Sequence, residues 1–303
     1  MASDRARLLV VGGDSALGAA LADHFSGAGW RVRATTRRPA RVDAGHPFLD
    51  LAAPTLDLPD ADAVILSAAA ARIGDCERHP VATRRINVDG TLAVAREMAQ
   101  RGAHIVLLSS DKVFDGTRPR RARGDDPSLA CEYGRQKAAA EAGVLALGAQ
   151  GAVLRLSKVL TPGLDLLAGW KRDLCAEKPI APFHDLHLAP VPMDLVARVA
   201  AHIVEDRAAG IYHCTGAEDR SYVALAHALA ASMGADPALI RPISGQARNM
   251  PAAARPRHTT LAMNVEQQRW GLNAPAFDAT VGEVMAEPDS ERVCASLAGA
   301  MKA

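Results

Sequence analysis

A tyrosine and a lysine four residues apart form the pair of side chains in this sequence best suited to chemistry. Tyr133 and Lys137 lie in a stretch rich in helix-forming alanines, and four residues make about one helical turn, so both side chains project from one face. An ammonium group beside a phenol favours the phenolate, so we expect it to lower the pKa of Tyr133. The pair could pass a proton to or from a substrate oxygen, although this spacing also arises by chance in many helices.

Alternating strands and helices must position this pair. Apolar runs predict buried strands at residues 8–11, 30–35, 46–49, 63–67, 104–109 and 152–156. Helices are predicted between them, including one over 80–101 and the one that carries Tyr133. Strands that alternate with helices need crossover connections, so the sequence predicts an α/β protein with a Rossmann-type, doubly wound parallel sheet.

The pattern changes after about residue 160, where prolines become frequent. We therefore expect a dinucleotide-binding domain over 1–160 and a smaller C-terminal substrate domain over 161–303. Helices are predicted at 193–205 and 221–233, and a strand at 211–214. Part of the second region, near 187–214, is expected to return to the large sheet.

A glycine-containing loop joins the first strand to the first helix, where a pyrophosphate could meet free helical N–H groups. The small residue at the centre of the loop is Ser15 instead of glycine, and its hydroxyl could bind a phosphate. An ordinary strand–helix turn is the alternative. The residues predicted here to bind a cofactor are Gly12, Asp14, Ser15, Ala16, Leu17 and Gly18.

The end of the second strand bears on the choice between NAD and NADP. A carboxylate about twenty residues past the loop would bind the ribose 2′-hydroxyl of NAD, but no acid occurs in the segment from Thr35 to Arg38. Arg37 or Arg38 could instead pair with a 2′-phosphate, so NADPH is favoured over NADH. Both arginines could also be solvated loop residues.

Composition excludes several classes of partner. Lys and Arg number 35 against 34 Asp and Glu, which gives no reason to expect nucleic acid. No apolar run approaches a membrane span and no signal peptide is visible, so we expect a cytoplasmic protein without membrane contact. The five cysteines are odd in number and lack a Cys-x-x-Cys pair, so neither a disulfide framework nor a zinc site is expected.

Several motifs in order give the chain a resemblance to a known superfamily. They are the glycine loop, Ser67–Ala70, Ile86–Thr91, the segment Ser109–Gly116 and the Tyr133/Lys137 helix. The chain resembles the extended short-chain dehydrogenases/reductases, and within them the dTDP-4-dehydrorhamnose reductases and related sugar-nucleotide reductases. Two C-terminal stretches, Gly210–Gly216 and Ala254–Leu261, also match that group.

The resemblance implies roles for individual residues. Ser110 would polarise the substrate carbonyl, Tyr133 would donate the proton, and Lys137 would hold the nicotinamide ribose. Asn87 would support the lysine through a water molecule, and Asp50 would read the adenine amino group. The further cofactor-binding residues that it implies are Leu51, Ser67, Ala68 and Ala69.

On the substrate side, the resemblance implies Lys112, Val113, Phe114 and Arg257. Lys112 departs from the pattern, because relatives commonly carry tyrosine at that position. A cation beside the site could change which sugar is accepted. Arginine suits a pyrophosphate because its planar fork can bind two oxygens, which favours Arg257 for the nucleotide of the substrate.

The sequence therefore predicts an NADPH-dependent reductase of a keto-sugar nucleotide, with hydride transfer to a ketone. One alternative is a non-catalytic NADP-binding regulatory subunit resembling the methionine adenosyltransferase β subunit. Another is a nucleotide-sugar epimerase or dehydratase, although Lys112 stands where dehydratases have the second acid of an Asp-Glu pair. No metal site is predicted, and the oligomeric state stays open, with a homodimer as one option.

Overall fold

A six-stranded parallel sheet forms the centre of the computed structural model, which describes residues 6–161 and 163–286. Its strands are β1 (Arg7–Val11), β2 (Arg31–Ala34), β3 (Ala63–Leu66), β4 (His104–Ser110), β5 (Gly151–Leu156) and β9 (Gly210–Cys214). Their order across the sheet is β2-β1-β3-β4-β5-β9. The predicted α/β class and doubly wound parallel sheet are confirmed.

Short strands outside the main sheet form two small ribbons. Strand β6 (Lys158–Leu160) pairs in parallel with β8 (Pro190–Pro192), and β7 (His187–Leu188) pairs antiparallel with β10 (Arg220–Ser221). Both ribbons lie in the C-terminal half of the chain, where prolines interrupt longer helices and strands.

Helices cover both faces of the sheet. The α-helices of the described residues, which include those that pack elsewhere, are α1 (Ala16–Gly27), α2 (Ile73–Arg78), α3 (Pro80–Arg84), α4 (Thr91–Gln100), α5 (Glu132–Leu145), α6 (Asp165–Cys175), α7 (Met193–Glu205), α8 (Tyr222–Met233), α9 (Asn264–Trp270) and α10 (Phe277–Ala286). Successive strand residues point to opposite faces. Leu8 and Val10 of β1 thus pack with α1 and α7, while Leu9 and Val11 pack with α4 and α5.

A separate hydrophobic cluster lies in the C-terminal half of the chain. It is built mainly from α6, α8 and α10, with buried Trp170, Leu229 and Phe277 among its members. Helix α7 and strand β9 belong instead to the core of the large sheet. We retain the division into 1–160 and 161–303 as a proposal; residues 1–5, 162 and 287–303 lie outside the described part.

Three sequence-based expectations are corrected here. Residues 46–49 do not form a sheet strand; Phe48 makes a single bridge to Thr36. The expected helix over 80–101 contains a π-helical segment at Arg85–Gly90, between α3 and α4. Cys76, Cys131 and Cys214 are buried free thiols, but Cys175 is disulfide-bonded, which neither cysteine count nor spacing indicated.

Within residues 6–161 and 163–286, no helix is both long and apolar enough to cross a bilayer.

Candidate active site

The loop between β1 and α1 is a tight turn whose shape depends on close backbone contacts. Gly12 has φ +106°, and a Cβ at Gly18 would lie 2.2 Å from the Gly12 carbonyl oxygen. Ser15 is the N-cap of α1: its hydroxyl accepts from the N–H of Gly18 at 3.0 Å and donates to the Gly12 carbonyl at 2.9 Å. The Ser15 hydroxyl thus makes two hydrogen bonds within the loop, and its predicted contact with a phosphate stays a prediction.

A groove of about 650 Å³ opens beside this loop at the carboxyl ends of β1, β2 and β3. Parallel sheets bind dinucleotides at such an edge. The groove brings together nine of the predicted cofactor residues: Gly12, Asp14, Ser15, Arg37, Arg38, Asp50, Leu51, Ala68 and Ala69.

The other predicted cofactor residues lie outside the groove lining. Ala16, Leu17 and Gly18 form the first turn of α1. The Ser67 hydroxyl donates to the Val11 carbonyl at 2.8 Å, so it joins β3 to β1. Asp50 lines the groove and also accepts from the N–H of Ala52 at 3.0 Å, which closes a local turn.

Phe48 is a groove residue that the sequence reading missed. Its apolar run predicted a buried strand, whereas the side chain is 45% exposed and lines the groove beside Asp50. An aromatic ring in this position offers a flat surface to a base. The available signal was its place just before Asp50 and Leu51, the two residues that the resemblance assigns to the cofactor.

Asp14 holds the loop to the end of β2. Its carboxylate accepts from the Thr36 hydroxyl at 2.9 Å and from the backbone N–H of Arg37 at 2.9 Å. It also pairs with Arg41 at 3.0 Å and Arg38 at 3.8 Å. The segment from Thr35 to Arg38 contains no acid, as the sequence shows, but the loop after β1 brings the carboxylate of Asp14 to the end of β2.

Helix α5 carries three ionisable side chains at successive turns, Tyr133, Lys137 and Glu141. Lys137 is buried, and its Nζ donates to the carbonyl of Leu108 in β4 at 2.6 Å. Burial lowers the pKa of Lys137 to about 8, against an opposing effect of Glu141. This hydrogen bond helps to hold α5 against β4, the strand that ends at Ser110.

The predicted lowering of the Tyr133 pKa is wrong for this structure. Burial raises the pKa of this half-buried phenol, and the Asp111 carboxylate raises it further. At neutral pH Tyr133 is therefore a protonated donor.

Glu141 belongs to a buried network behind this helix face. It accepts from Arg155 Nη2 at 2.7 Å and from the Ser109 hydroxyl at 2.5 Å. The Arg155 guanidinium also lies 5.0 Å from the centre of the Phe114 ring. The network connects α5 to β4 and β5 next to the candidate site.

Ser110, Asp111 and Lys112 form a second polar group at the end of β4. The Ser110 hydroxyl donates to Asp111 Oδ1 at 2.9 Å, and Lys112 Nζ contacts Asp111 Oδ2 at 2.8 Å. Burial opposes the Lys112 charge, but Asp111 outweighs it and raises the pKa of Lys112. The one proton of the Ser110 hydroxyl is therefore directed at Asp111 here.

Asn87 lies in the π-helical segment and is buried. Its side-chain oxygen accepts from the N–H of Ala70 at 2.7 Å, and its nitrogen donates to Ala70 O at 3.0 Å and to Gln136 Oε1 at 2.8 Å. The amide thus connects the loop after β3 to α5. In the structure it supports the helix that bears Lys137 through Gln136, next to that lysine in sequence.

A second cavity, of about 730 Å³, lies between the Asp115–Thr117 segment and the C-terminal half. Arg257 lines it, together with His184, His187 and Arg255. The carbonyl of Gly116 accepts from the N–H groups of Arg257 at 3.1 Å and His258 at 3.0 Å, so these backbone contacts hold one cavity wall together.

Three predicted substrate residues do not line this cavity. Val113 and Phe114 are buried and pack with Leu261, and Arg121 stacks on the Phe114 ring at 4.3 Å. Lys112 is paired with Asp111, as described above. Lys158, at the start of β6, is close enough to Lys112 for that charge, in addition to burial, to lower the pKa of Lys158.

Comparison with known proteins identifies the family. The profile of the RmlD substrate binding domain matches residues 6–289. A dTDP-4-dehydrorhamnose reductase of Streptomyces griseus is 30% identical over 275 residues, covering 88% of this chain and 87% of the relative. The methionine adenosyltransferase 2 subunit beta of Bos taurus is 30% identical over 269 residues, covering 84% and 80%.

Solved structures share the fold. A dTDP-4-dehydrorhamnose reductase from Bacillus anthracis in complex with NADP has a TM-score of 0.83 at 20% identity and covers 93% of this chain and 99% of that one. MoeE5 in complex with UDP-glucose and NAD has a TM-score of 0.79 at 22% identity, with coverage of 94% and 98%. The chain thus belongs to the RmlD substrate binding domain family, among the NAD(P)-dependent oxidoreductases of the extended short-chain type, as the sequence motifs predicted.

Proposed function

We propose that this protein is an NADPH-dependent reductase of a keto-sugar nucleotide, similar to dTDP-4-dehydrorhamnose reductase. The observation that carries the proposal is the attachment of α5 to the end of β4. Lys137 bonds to Leu108 at 2.6 Å, Ser110 ends the same strand, and Asp111 acts on the pKa of Tyr133. These contacts support a site in which the phenol of Tyr133, the amine of Lys137 and the hydroxyl of Ser110 act together at the carboxyl edge of the sheet.

The nicotinamide, when bound, supplies the hydride to the carbonyl carbon of the substrate. Tyr133 gives the proton to the carbonyl oxygen as the C–O double bond becomes an alcohol, and recovers a proton from solvent. Its raised pKa keeps the phenol protonated at neutral pH, so that the proton is present for transfer, but it also makes the phenol a weaker acid. Ser110 would become a second donor to that oxygen after its hydroxyl rotates away from Asp111.

The nucleotide of the substrate would occupy the cavity that Arg257 lines. Its guanidinium can bind two phosphate oxygens side by side. Arg255 lines the same cavity and pairs with Asp185 at 3.4 Å. We assign the pyrophosphate to Arg257, because Arg255 already has a carboxylate partner.

The test is NADPH oxidation against a panel of nucleotide-linked 4-keto sugars. We expect Tyr133→Phe to reduce turnover by about 10²-fold or more, in the range that general acids contribute, while NADPH affinity stays near wild type. Tyr212→Phe is the matched control, since Tyr212 is buried in β9 and donates to Ala209 O at 3.1 Å. Equal turnover in wild type and Tyr133→Phe would contradict the assignment.

A regulatory subunit remains a second candidate, because the methionine adenosyltransferase β relatives match the chain as closely as the reductases do. NADPH binding without turnover, together with a stable protein partner, would favour that function. An epimerase would interconvert nucleotide sugars without net NADPH oxidation. The same panel therefore separates the three candidates.

A further inference from the structure

The carboxylate of Asp14 lies at the end of β2, although Asp14 itself belongs to the loop after β1. In dinucleotide-binding folds an acid at the end of the second strand accepts from the ribose hydroxyls of NAD. Here Asp14 arises in the loop after β1 but bonds to Thr36 and to the N–H of Arg37, both just past the end of β2. The chain thus brings a carboxylate to the same strand end by a different route.

Cations surround this carboxylate. Arg41 and Arg38 both pair with Asp14, and Arg37 and Arg38 line the groove with it. Burial alone would raise the pKa of Asp14, but the N–H of Arg37, the Thr36 hydroxyl and the two arginines lower it. Asp14 is therefore ionised throughout the neutral range.

The two candidate cofactors differ at this place by one group. A 2′-phosphate would be attracted by the arginines and repelled by Asp14, and it would have to draw Arg38 and Arg41 from their present partner. A 2′-hydroxyl would find in Asp14 an ionised acceptor. The same carboxylate thus disfavours one cofactor and favours the other.

We propose that Asp14 sets the dinucleotide selectivity of this groove by restraining the preference for NADPH and accepting the ribose of NADH, so that both cofactors bind. The inference rests on the proposed function only in assuming that a dinucleotide occupies the groove. It assigns Asp14 a role distinct from that of the arginines, which recognise the 2′-phosphate.

The experiment measures Kd for NADPH and for NADH by nicotinamide fluorescence, with wild type and Asp14→Asn. Asparagine keeps an oxygen for Thr36 and the N–H of Arg37 but removes the charge. We expect the ratio Kd(NADH)/Kd(NADPH) to rise about tenfold, the size expected for one charge removed near a phosphate. The increase should shrink at high salt, because Arg38 and Arg41 beside Asp14 are exposed to solvent.

Asp43→Asn is the charge-matched control. Asp43 is exposed, bonds to Gly45 and His46, and lies outside the groove lining, so its ratio should stay at the wild-type value. Circular dichroism checks folding, and Asp14→Ser replaces Asp14→Asn if the latter does not fold.

The outcomes separate the two levels of the proposal. A ratio that is unchanged in the Asp14 variant means that Asp14 only fastens the loop, and a ratio that falls means that it orders the arginines for the phosphate. Either result overturns the inference while leaving the proposed function intact. Failure of wild type to bind either dinucleotide would contradict the proposed function itself.

Discussion

The ion pair between Asp111 and Lys112 allows a prediction that is independent of the substrate. The two side chains are 10% and 22% exposed, and their charged atoms are 2.8 Å apart. At an effective dielectric constant of about 20, unit charges about 4 Å apart attract by about 4 kcal/mol. Since partial exposure weakens the pair, we expect Lys112→Met to lower the free energy of unfolding by about 2 kcal/mol, chiefly by leaving Asp111 unpaired.

The double variant Asp111→Asn/Lys112→Met removes both charges. Its free energy of unfolding should be only about 1 kcal/mol below that of wild type, because no uncompensated carboxylate remains. Urea unfolding gives the free energy of unfolding of wild type, the single variant and the double variant. Lys178→Met controls for the loss of an exposed lysine. A double variant as unstable as Lys112→Met would refute the reasoning.

The same pair should affect turnover. An unpaired Asp111 beside Tyr133 opposes negative charge on the substrate oxygen, so Lys112→Met should reduce kcat about tenfold, equivalent to about 1.4 kcal/mol. The double variant should regain most of that rate if the charge is the cause. Loss of rate in both variants would instead assign Lys112 to direct contact with the substrate.

Three further predictions concern other parts of the fold. Glu141→Gln leaves the buried Arg155 guanidinium without its counter-charge and should cost about 3–5 kcal/mol in urea unfolding; a loss below about 1 kcal/mol would contradict this. Gly18→Ala places a Cβ 2.2 Å from the Gly12 carbonyl oxygen, so NADPH affinity in a fluorescence titration should fall about tenfold or more; unchanged affinity would show that the turn is not needed. Burial, with a contribution from Arg207, lowers the pKa of His104 to about 4, so stability is full above about pH 6.5 and falls by up to about 3 kcal/mol as pH drops towards 4; His104→Leu should flatten that slope.

The parallel sheet could be predicted because its strands are buried on both faces. Runs such as Leu8–Val11 are then continuously apolar, and helices between them leave few topologies. The segment at 46–49 has the same local appearance, yet only Phe48 pairs, and it pairs once. Nothing in so short a run separates a strand from a groove wall, because that depends on tertiary contacts.

The candidate site could be predicted only as far as local spacing reaches. Tyr133 and Lys137 share a helix face, which the four-residue interval indicates. The pKa of Lys137 depends on burial against β4, and the role of Asp14 depends on residues 22 and 23 positions away. Those effects arise when separate elements pack together, so no local pattern contains them.

The N-cap formed by Ser15 affects both the rate at which a dinucleotide can bind and the entropy that is lost when it does. With its hydroxyl bonded to both Gly12 and Gly18, the turn is already wound before any phosphate arrives. Binding then requires little ordering of the backbone, and the entropy lost on association is correspondingly small. The association rate should therefore be limited by diffusion and orientation of the cofactor, with no slow rearrangement of the turn beforehand.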